Sequence, residues 1–529
     1  MRRTGPIALG VRAALVVALV VTALYAGAPN ATDAATAANS WRARVGSSGV
    51  NGMATLQADA SGSGTILLQL LRLRASSTLA VTLHRGTCGS VGAALLRLSP
   101  IRTSSTGAGI RTTRLTTAQI GTLKAAAKGT SKLAIRVGVG TTARCGVFAP
   151  LVVQAGFLTR QGSELLLGGE PFHEISFDKF DLLHQLVVTE HGTWEHDLAH
   201  GVPAAEAALK SLQQHGFRVI RVNASPFYAS WFKDVFFDAD PVRQAQKRRE
   251  FFAEFDQMLD ACDRHGIRIV ASLVWSVDNL GALGGHSIRV GMTDPTSLGR
   301  RRVEEYIREV VKRYRDRPTI AMWELGNEWN LGADIQWPQF DYTSDQLAAY
   351  YQQTATLIRS IDSRHLITTG DSSPRPAAMH LLRAVRAGQP VDWTFDSASE
   401  LTDYLRLMNP DPIDVVSIHY YDDAMISLGG TLGSPENLRF FANAAQEMGK
   451  PLFVGEIGLD ADIHRYDTQA GLDLLRATLP VLVELKLPLT LYWAFADDRQ
   501  LGGLDTSLRY GKTDEALTLI KDAAAEIRP

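Results

Sequence analysis

Two glutamates, Glu328 and Glu456, are the residues of this chain whose setting best suits chemistry. They lie 128 positions apart, in the segments WELGNEWN (323–330) and PLFVGEIG (451–458). Each follows a short apolar run that is typical of a buried strand. Residues just past strand ends carry chemistry in barrel enzymes, because rigid strands hold side chains that stay open to substrate. Two carboxylates in such positions indicate acid/base work on a glycosidic bond.

The two glutamates can divide the roles that this reaction needs. Hydrolysis requires a protonated acid at the leaving oxygen and a second carboxylate, which attacks the anomeric carbon when configuration is retained. Trp323 and Trp329 flank Glu328 and predict an apolar wall that raises the pKa of its carboxyl group. Asn327 is placed to hydrogen-bond a sugar 2-hydroxyl. Glu456 needs the opposite surroundings, polar enough to keep it ionised.

The elements that must position these residues alternate between strand and helix. An apolar hairpin over residues 156–172 is expected to plug the bottom of a barrel, and amphipathic helical segments separate the strands that follow. This alternation predicts a parallel sheet, and eight strands make a (β/α)8 TIM barrel. The predicted strands are His173–Phe177, Arg218–Asn223, Ile267–Leu273, Ile320–Leu325, Leu366–Thr369, Val415–His419, Leu452–Gly455 and Leu489–Ala494.

From residue 157 to residue 529 the chain resembles the family 5 glycoside hydrolases, the retaining cellulase and endo-β-mannanase family. The resemblance implies that Glu328, after Asn327 at the end of strand 4, is the acid/base and that Glu456, ending strand 7, is the nucleophile. That family also carries an arginine on strand 2, a His-x-Tyr after strand 6 and a tryptophan platform on strand 8. The residues at these positions are Arg221, His419, Tyr421 and Trp493.

Roles for these four side chains follow from their chemistry. Arg221 and Tyr421 are expected to hydrogen-bond the nucleophile, and His419 either a sugar hydroxyl or the acid. Plain structural interpretations stay open: an ion pair for Arg221, a satisfied buried histidine for His419 and a core aromatic for Trp493. Other aromatics near strand ends suit either sugar stacking or core packing. They are Trp194, Phe227, Tyr228, Trp231, Trp275, Trp329 and Trp337.

Two strands depart from the family pattern. Strand 3 reads ASLVW (271–275) where many members have a histidine, and strand 1 reads EISFDKF (174–180) in place of Gly-x-Asn. Both departures bear on which sugar is bound, and neither touches the glutamates. The stretch 190–200 is rich in histidine and acids but lacks a fixed metal-ligand spacing, so a polar loop is the better interpretation. No metal and no cofactor is implied.

Residues 41–150 differ from the rest of the chain. They contain 14 Lys and Arg against the single acid Asp59, are rich in small residues, and carry short β-like runs with a helical interruption over 117–127. This pattern predicts a small all-β, sandwich-like accessory domain before a barrel domain at 157–529. The basic charge suits a salt-sensitive contact with an anionic surface, docking on the acidic barrel, or a merely solvated face. Nucleic acid is not an expected partner.

The first 37 residues are interpreted as an export signal and linker. A basic start precedes an apolar run that ends in Ala26-Gly27-Ala28, with Ala35-Thr36-Ala37 as a second cleavage site and an uncleaved anchor as the alternative. The mean hydropathy of −0.03 argues against a polytopic membrane protein. An exported chain suits a disulfide between Cys88 and Cys145, whereas Cys262 is expected to be a buried apolar residue.

The leading hypothesis is a secreted or cell-surface retaining glycosidase that cleaves β-linked, β-1,4 in the first instance, mannan or glucan. The partner is then a polysaccharide or oligosaccharide. The first alternative is an exported carbohydrate-binding or cell-surface protein whose barrel turns over weakly. The second is a glycosidase or transglycosylase that acts on glycolipids or small glycosides. Sequence alone leaves the sugar, and endo or exo action, open.

Overall fold

A computed structural model describes most of the chain. The described residues are 40–46, 50–58, 61–70, 73–105, 107, 109–127, 132–150, 156–186, 201–421, 435–458, 466–495, 508, 510–511 and 513–529. The expected export segment and the stretch 190–200, with Trp194, lie outside these residues. Across the described ranges, none of the helices combines the length and apolar character that a membrane span needs.

The N-terminal region is all-β, as predicted. Its strands are β1 (Ser40–Gly46), β2 (Val50–Ala58), β3 (Gly64–Leu70), β4 (Thr78–Thr87), β5 (Ser90–Arg102), β6 (Gly109–Leu115), β7 (Leu133–Val137) and β8 (Arg144–Pro150). They form one antiparallel sheet in the order β5-β4-β7-β8-β1-β2-β3-β6. The edge strands β5 and β6 contact each other, so the sheet curls round one apolar core. The core therefore lies inside this curled sheet.

Helix α1 (Thr117–Ala126) interrupts this sheet where the sequence predicts it. Thr116 caps the helix by accepting a hydrogen bond from the Gln119 backbone, and the Gln119 side chain returns the bond to the Thr116 backbone. Such a capping box satisfies backbone donors that a helix start leaves open. The buried face of α1 packs Ile120 and Leu123 against the sheet.

The predicted disulfide is present. Cys88, in the turn between β4 and β5, is bonded to Cys145 on β8, with Cα atoms 5.6 Å apart. Cys262 is a free, buried cysteine, and burial raises the pKa of its thiol.

Removing this bridge is expected to destabilise the N-terminal sheet. The bridge closes a loop of 57 residues, and in the chain-entropy model such a cross-link contributes about 4 kcal/mol. The double variant Cys88→Ser/Cys145→Ser should therefore unfold at lower urea, which circular dichroism can follow. Reductant should shift the wild type to the same transition and leave the double variant unchanged. Equal midpoints for both proteins without reductant would contradict the prediction.

The N-terminal sheet touches the barrel through charge. Arg42 on β1 forms an ion pair with Asp260 on the barrel helix that spans Pro241–His265. Arg317 holds the same helix by bonding Asp260 (3.2 Å) and Asp263 (2.6 Å). At this contact, the basic region docks on its acidic neighbour.

A small sheet follows the N-terminal region in sequence and precedes the barrel strands, where the hairpin was predicted. Its strands are β9 (Leu158–Gln161), β10 (Glu164–Leu167) and β11 (Glu170–Pro171), paired antiparallel in the order β11-β10-β9. Leu158, Leu165 and Phe172 are buried in one apolar cluster with residues at the amino ends of the barrel strands. The sheet thus plugs the bottom of the barrel.

Eight parallel strands form the barrel. They are β12 (Glu174–Asp178), β13 (Val219–Asn223), β14 (Arg268–Ser272), β15 (Ile320–Glu324), β16 (Leu366–Thr368), β17 (Val416–Tyr421), β18 (Leu452–Gly458) and β19 (Leu489–Tyr492). Their order is β16-β15-β14-β13-β12-β19-β18-β17, and a parallel bridge from Thr368 to Val415 joins the two ends. All eight predicted strands are confirmed, and the fold is a (β/α)8 barrel.

Helices surround these strands and bury one face each in the main core. They are α2 (Leu182–Leu186), α3 (Gly201–Gln214), α4 (Ala229–Phe236), α5 (Pro241–His265), α6 (Asp278–Ala282), α7 (Ile288–Thr293), α8 (Leu298–Tyr314), α9 (Ser344–Ile361), α10 (Ala378–Arg386), α11 (Ala398–Met408), α12 (Pro435–Glu447), α13 (Gln469–Glu484) and α14 (Asp514–Ile527). Helix α5 shows how sequence sets their bounds. Asp240 caps its start, and Gly266, at φ 67°, takes the left-handed conformation that ends it.

Candidate active site

Both glutamates lie at the carboxyl end of the barrel. Glu456 is on strand β18, and Glu328 follows β15, where its N–H donates to the Gly370 carbonyl beyond β16 (2.8 Å). Glu328 has φ 55° and ψ 31°, a left-handed conformation that is uncommon for any residue but glycine. Such a conformation persists only where neighbouring structure holds it, and it concentrates at functional sites. The backbone of Glu328 is therefore fixed by the loop that follows the next strand.

His419 lies between the two carboxyl groups. Its Nδ1 is 3.1 Å from Glu328 Oε1 and 3.5 Å from Glu456 Oε1. One carboxylate oxygen of each glutamate and a ring nitrogen of His419 all lie within 4.8 Å of one another. Burial lowers the pKa of His419 to about 3, so the ring is neutral at neutral pH. The contact with Glu328 is one of the two interactions expected of His419 from sequence.

Arg221, on β13, is the cation at the centre of the site. Its fully buried guanidinium donates from Nη1 to Glu456 Oε1 (2.7 Å) and from Nη2 to Asn327 Oδ1 (2.7 Å). These two charge-assisted and polar bonds fix the positions of the Glu456 carboxyl group and the Asn327 amide. The predicted position of Arg221 beside Glu456 is what the structure shows.

Two further carboxyl groups meet the same guanidinium. Arg221 Nε donates to both oxygens of Glu324 (2.8 and 3.0 Å), and Nη1 lies 3.3 Å from Asp178 Oδ1. Burial raises the pKa of both carboxyl groups against the lowering effect of Arg221. Glu324 is therefore a buried ion-pair partner of Arg221.

Sequence reasoning missed Asp178. It ends strand β12 at the ladder position opposite Arg221, so a carboxylate at the carboxyl end of strand 1 was the available signal. The departure at strand 1 thus puts an acid on the arginine that holds Glu456. At strand 3, Ser272 donates to the Gly326 carbonyl (3.2 Å), and Trp275 places its ring 4.7 Å from the Arg221 guanidinium carbon.

Tyr421 and Asn327 complete the polar lining. The Tyr421 hydroxyl donates to Glu456 Oε2, and burial, followed by the neighbouring carboxylates, raises the pKa of this phenol well above its usual range. It stays a donor at any working pH. Because the side-chain oxygen of Asn327 accepts a hydrogen bond from Arg221, its amide NH2 is the group that can donate to a sugar hydroxyl.

Burial raises the pKa of Glu328, as the sequence predicts for a proton donor. Arg221 and a hydrogen bond with Ser372 act in the opposite direction, but loss of water is the largest cause. The side chain keeps 29% of its surface exposed, so the carboxyl group remains open to a substrate. The neutral His419 adds no positive charge that would cancel the effect.

The two flanking tryptophans do not form the predicted wall. Trp323 lies in the main core, where its indole N–H donates to Asp362 Oδ2 (2.8 Å). Trp329 is also buried, with its indole N–H on the Trp275 carbonyl (3.0 Å) and its ring stacked near Tyr351. Both indole rings pack in the barrel core. The pKa of Glu328 is raised by the burial of its own carboxyl group.

Trp493, just past strand β19, belongs to an aromatic cluster at the mouth of the barrel. It is partly buried, stacks on Phe180 with ring centres 4.6 Å apart, and lies 6.3 Å from the Trp275 ring. Trp231, by contrast, is a core residue, whereas Tyr228 is 41% exposed. Trp493 is thus packed in an aromatic cluster while part of its surface stays exposed.

Metal chemistry has one geometric candidate here. The oxygens of Glu328 and Glu456 with a nitrogen of His419 are close enough to share an ion. Arg221 already neutralises Glu456 at 2.7 Å, and a divalent cation would have to sit beside that fixed positive charge. The donor set suits proton transfer better than metal binding.

Comparison with known proteins identifies the family of the barrel. The model of the family described as cellulase (glycosyl hydrolase family 5) matches residues 183–483, more than half of the chain. Mannan endo-1,4-beta-mannosidase 2 of Arabidopsis thaliana is 24% identical over 351 residues, which cover 59% of this chain and 71% of the relative. Probable mannan endo-1,4-beta-mannosidase A-2 of Aspergillus terreus is 25% identical over 336 residues, covering 61% and 75%.

A solved structure shares the fold. The endo-1,4-beta-mannanase from Rhizomucor miehei aligns with a TM-score of 0.50 and 18% identity, over 70% of this chain and 99% of that one. The family match covers strands β13 to β18, which carry Arg221, Glu328, His419 and Glu456. The chain belongs to the cellulase family, glycosyl hydrolase family 5, and is an O-glycosyl hydrolase.

Proposed function

We propose that the protein is a retaining endo-β-mannanase that hydrolyses β-1,4-linked mannan by double displacement. The observation that supports the mechanism is the closeness of the two carboxyl groups: one oxygen of Glu328 lies within 4.8 Å of one oxygen of Glu456. Retaining glycosidases hold their carboxyl groups about 5 to 5.5 Å apart, and inverting ones about 6.5 to 9.5 Å to admit a water molecule. Mannan is the substrate named for the Arabidopsis and Aspergillus relatives.

In the first step Glu456 attacks the anomeric carbon while Glu328 protonates the leaving oxygen. Arg221 and Tyr421 hold Glu456 by one oxygen each, which fixes the direction of attack. A covalent glycosyl-enzyme forms, and the chain beyond the cleaved bond departs with the proton. Glu328 is then an anion that can take a proton from water as the water attacks the same carbon.

The other site residues bind the sugar. The amide NH2 of Asn327, left over once its oxygen bonds Arg221, is the group that donates to the 2-hydroxyl, and such a bond strengthens as the transition state forms. Trp493 offers a ring face to the sugar next to the cleaved bond. Secretion is part of the proposal, because a polymer such as mannan is reached outside the cell and the chain begins with an export-like segment.

A substrate panel tests this function. Purified protein is incubated with β-mannan, glucomannan, cellulose, mixed-linkage glucan and xylan, and reducing ends are measured. Release is expected from mannan first, and proton NMR should show the β-anomer as the initial product. A first-formed α-anomer would contradict retention, and turnover of glucan alone would overturn the choice of sugar.

The pH dependence of this activity is expected to have its alkaline limb set by Glu328. An acid acts while it is protonated, and burial raises the pKa of Glu328, so kcat/KM should hold below that pKa and fall as pH rises through it. His419, with a pKa of about 3, titrates too low to produce this limb. The measurement is the pH profile of kcat/KM on mannohexaose, whose departing sugar needs a proton, for wild type and Glu328→Gln. An alkaline limb that is unchanged in the variant would remove Glu328 from this role.

A further inference from the structure

Three large aromatic side chains stand out to solvent near the candidate site. Trp337, Trp393 and Phe395 are 53, 49 and 58% exposed. Trp337 lies on the loop that leaves β15 with Glu328, and the other two lie on the long connection between β16 and β17. Burying an aromatic ring is favourable, so aromatics left in water on adjacent loops indicate a binding surface.

The two loops form one wall that runs outward from Glu328. The wall consists of residues 326–343 and 369–397. Its first contact is the Glu328 N–H on the Gly370 carbonyl, and its second is a reciprocal pair in which Asn330 and Ser372 exchange two hydrogen bonds of 2.8 and 3.0 Å. Arg375 then donates to the Leu331 carbonyl (2.6 Å).

Further contacts carry the wall to the aromatics. Gln336 donates to the Gln389 carbonyl (2.9 Å), one residue before Trp337. The guanidinium carbon of Arg375 lies 5.9 Å from the Trp393 ring, and the Asp396 N–H donates to the Pro376 carbonyl (2.7 Å). Both ends of the aromatic surface are thus bonded to the loops that hold the acid.

The wall also has its own apolar base. Ile335, Ala377 and Leu381 are buried in a small cluster apart from the main core, with Phe340 and Val391 packed against it. Trp337 is bridged to Phe340, and Trp393 follows Val391 by two residues. The exposed rings are therefore mounted on packed structure, which lowers the entropy lost when a ligand binds them.

Position decides which part of a substrate meets the wall. The sugar that Glu456 attacks must lie against Arg221 on β13, Glu456 itself on β18 and Trp493 just past β19. Glu328 protonates the departing oxygen, so the leaving part of the chain extends towards the loops that carry Glu328. These loops are the wall.

We propose that Trp337, Trp393 and Phe395 form a stacking surface for the leaving-group side of a β-1,4-linked mannan chain. This inference rests on the proposed function. The apolar C–H faces of pyranose rings pack on aromatic faces, and a polymer longer than the catalytic subsites supplies several such rings in a row. The surface would make the enzyme select long chains and cleave inside them.

Variants of the wall are tested on two substrates. Mannohexaose reaches the wall, whereas 2,4-dinitrophenyl β-mannobioside has a small leaving group that does not. Trp337→Ala and Trp393→Ala should each raise KM for mannohexaose about 3- to 10-fold, the effect of losing one aromatic contact, and leave the aryl substrate unchanged. Trp393→Phe should restore much of the loss. Val242→Ala, at an exposed apolar position of helix α5, is the matched control.

Each outcome decides the proposal. Unchanged KM for mannohexaose in both alanine variants overturns the wall. The wall is also overturned if the alanine variants lose as much activity on the aryl substrate as on mannohexaose and Trp393→Phe performs no better than Trp393→Ala. A stacking ring face would then not explain the loss. If wild type turns over no substrate at all, the proposed function fails instead, and calorimetry then measures mannohexaose binding. Binding that the alanine variants weaken supports the wall, and equal binding overturns it.

Discussion

Replacing Glu456 by glutamine is expected to lower kcat on β-mannan by about 10⁴- to 10⁶-fold, as removal of a catalytic nucleophile does. Glutamine keeps the shape, and its one oxygen can still accept the hydrogen bond from Arg221 while its NH2 group faces the Tyr421 hydroxyl, but it cannot attack an anomeric carbon. The melting temperature of the Glu456→Gln variant should stay close to that of the wild type. Single-turnover measurements with 2,4-dinitrophenyl β-mannobioside should show no release above the uncatalysed rate.

Glu328→Gln should affect a different step of the reaction from Glu456→Gln. The variant loses the acid, worth about 10²- to 10⁴-fold on mannan, but a leaving group that needs no proton should still depart in the first step. Added azide separates the two roles further. Glu456→Gly should yield the α-mannosyl azide, whereas Glu328→Gly should yield the β-azide, because its covalent intermediate still forms. The reverse pattern would exchange the two assignments.

Removing Arg221 is expected to have the largest effect on folding. Arg221→Met leaves Glu456, Glu324 and Asp178 without the buried guanidinium that faces them. Breaking a buried ion pair from one side costs about 3 to 5 kcal/mol, because the remaining charge stays out of water. The urea midpoint of the barrel, followed by tryptophan fluorescence, should fall accordingly, and activity should be lost with it.

A second change distinguishes charge from packing. Arg221→Met/Glu324→Gln removes one of the stranded carboxyl groups and should recover part of the lost stability, so the two changes should not be additive. Arg243→Met is the matched control, since Arg243 forms its ion pair with Asp238 at the surface, and it should leave the midpoint unmoved. Additive losses in the double variant would mean that Arg221 acts through shape.

The barrel strands were predictable because their signal is local. Short apolar runs such as Ile320–Glu324 stand between amphipathic helices, and parallel strands with covered faces bury every residue, as this one does. The positions of Glu328, Glu456, Arg221 and His419 followed from motifs at strand ends, and the structure brings these four side chains together. Their roles remain predictions.

Other features depend on contacts that no local pattern contains. Asp178 was missed because its meaning comes from standing opposite Arg221 on a neighbouring strand. Trp323 and Trp329 lie within six residues of Glu328 in sequence, yet the strand and the turn send their rings into the core. The curl of the N-terminal sheet depends on which edge strands meet, β5 and β6, and alternating residues suit a sandwich equally well.

The plug formed by β9, β10 and β11 decides where the protein can be cut. Leu158, Leu165 and Phe172 precede the first barrel strand in sequence but share a buried cluster with Val219 and Phe453. An expression boundary placed after Phe172 would open the barrel floor to water and leave those side chains without cover. A shortened protein that keeps its hydrolytic half intact should therefore start before Leu158, in the short segment that follows Pro150.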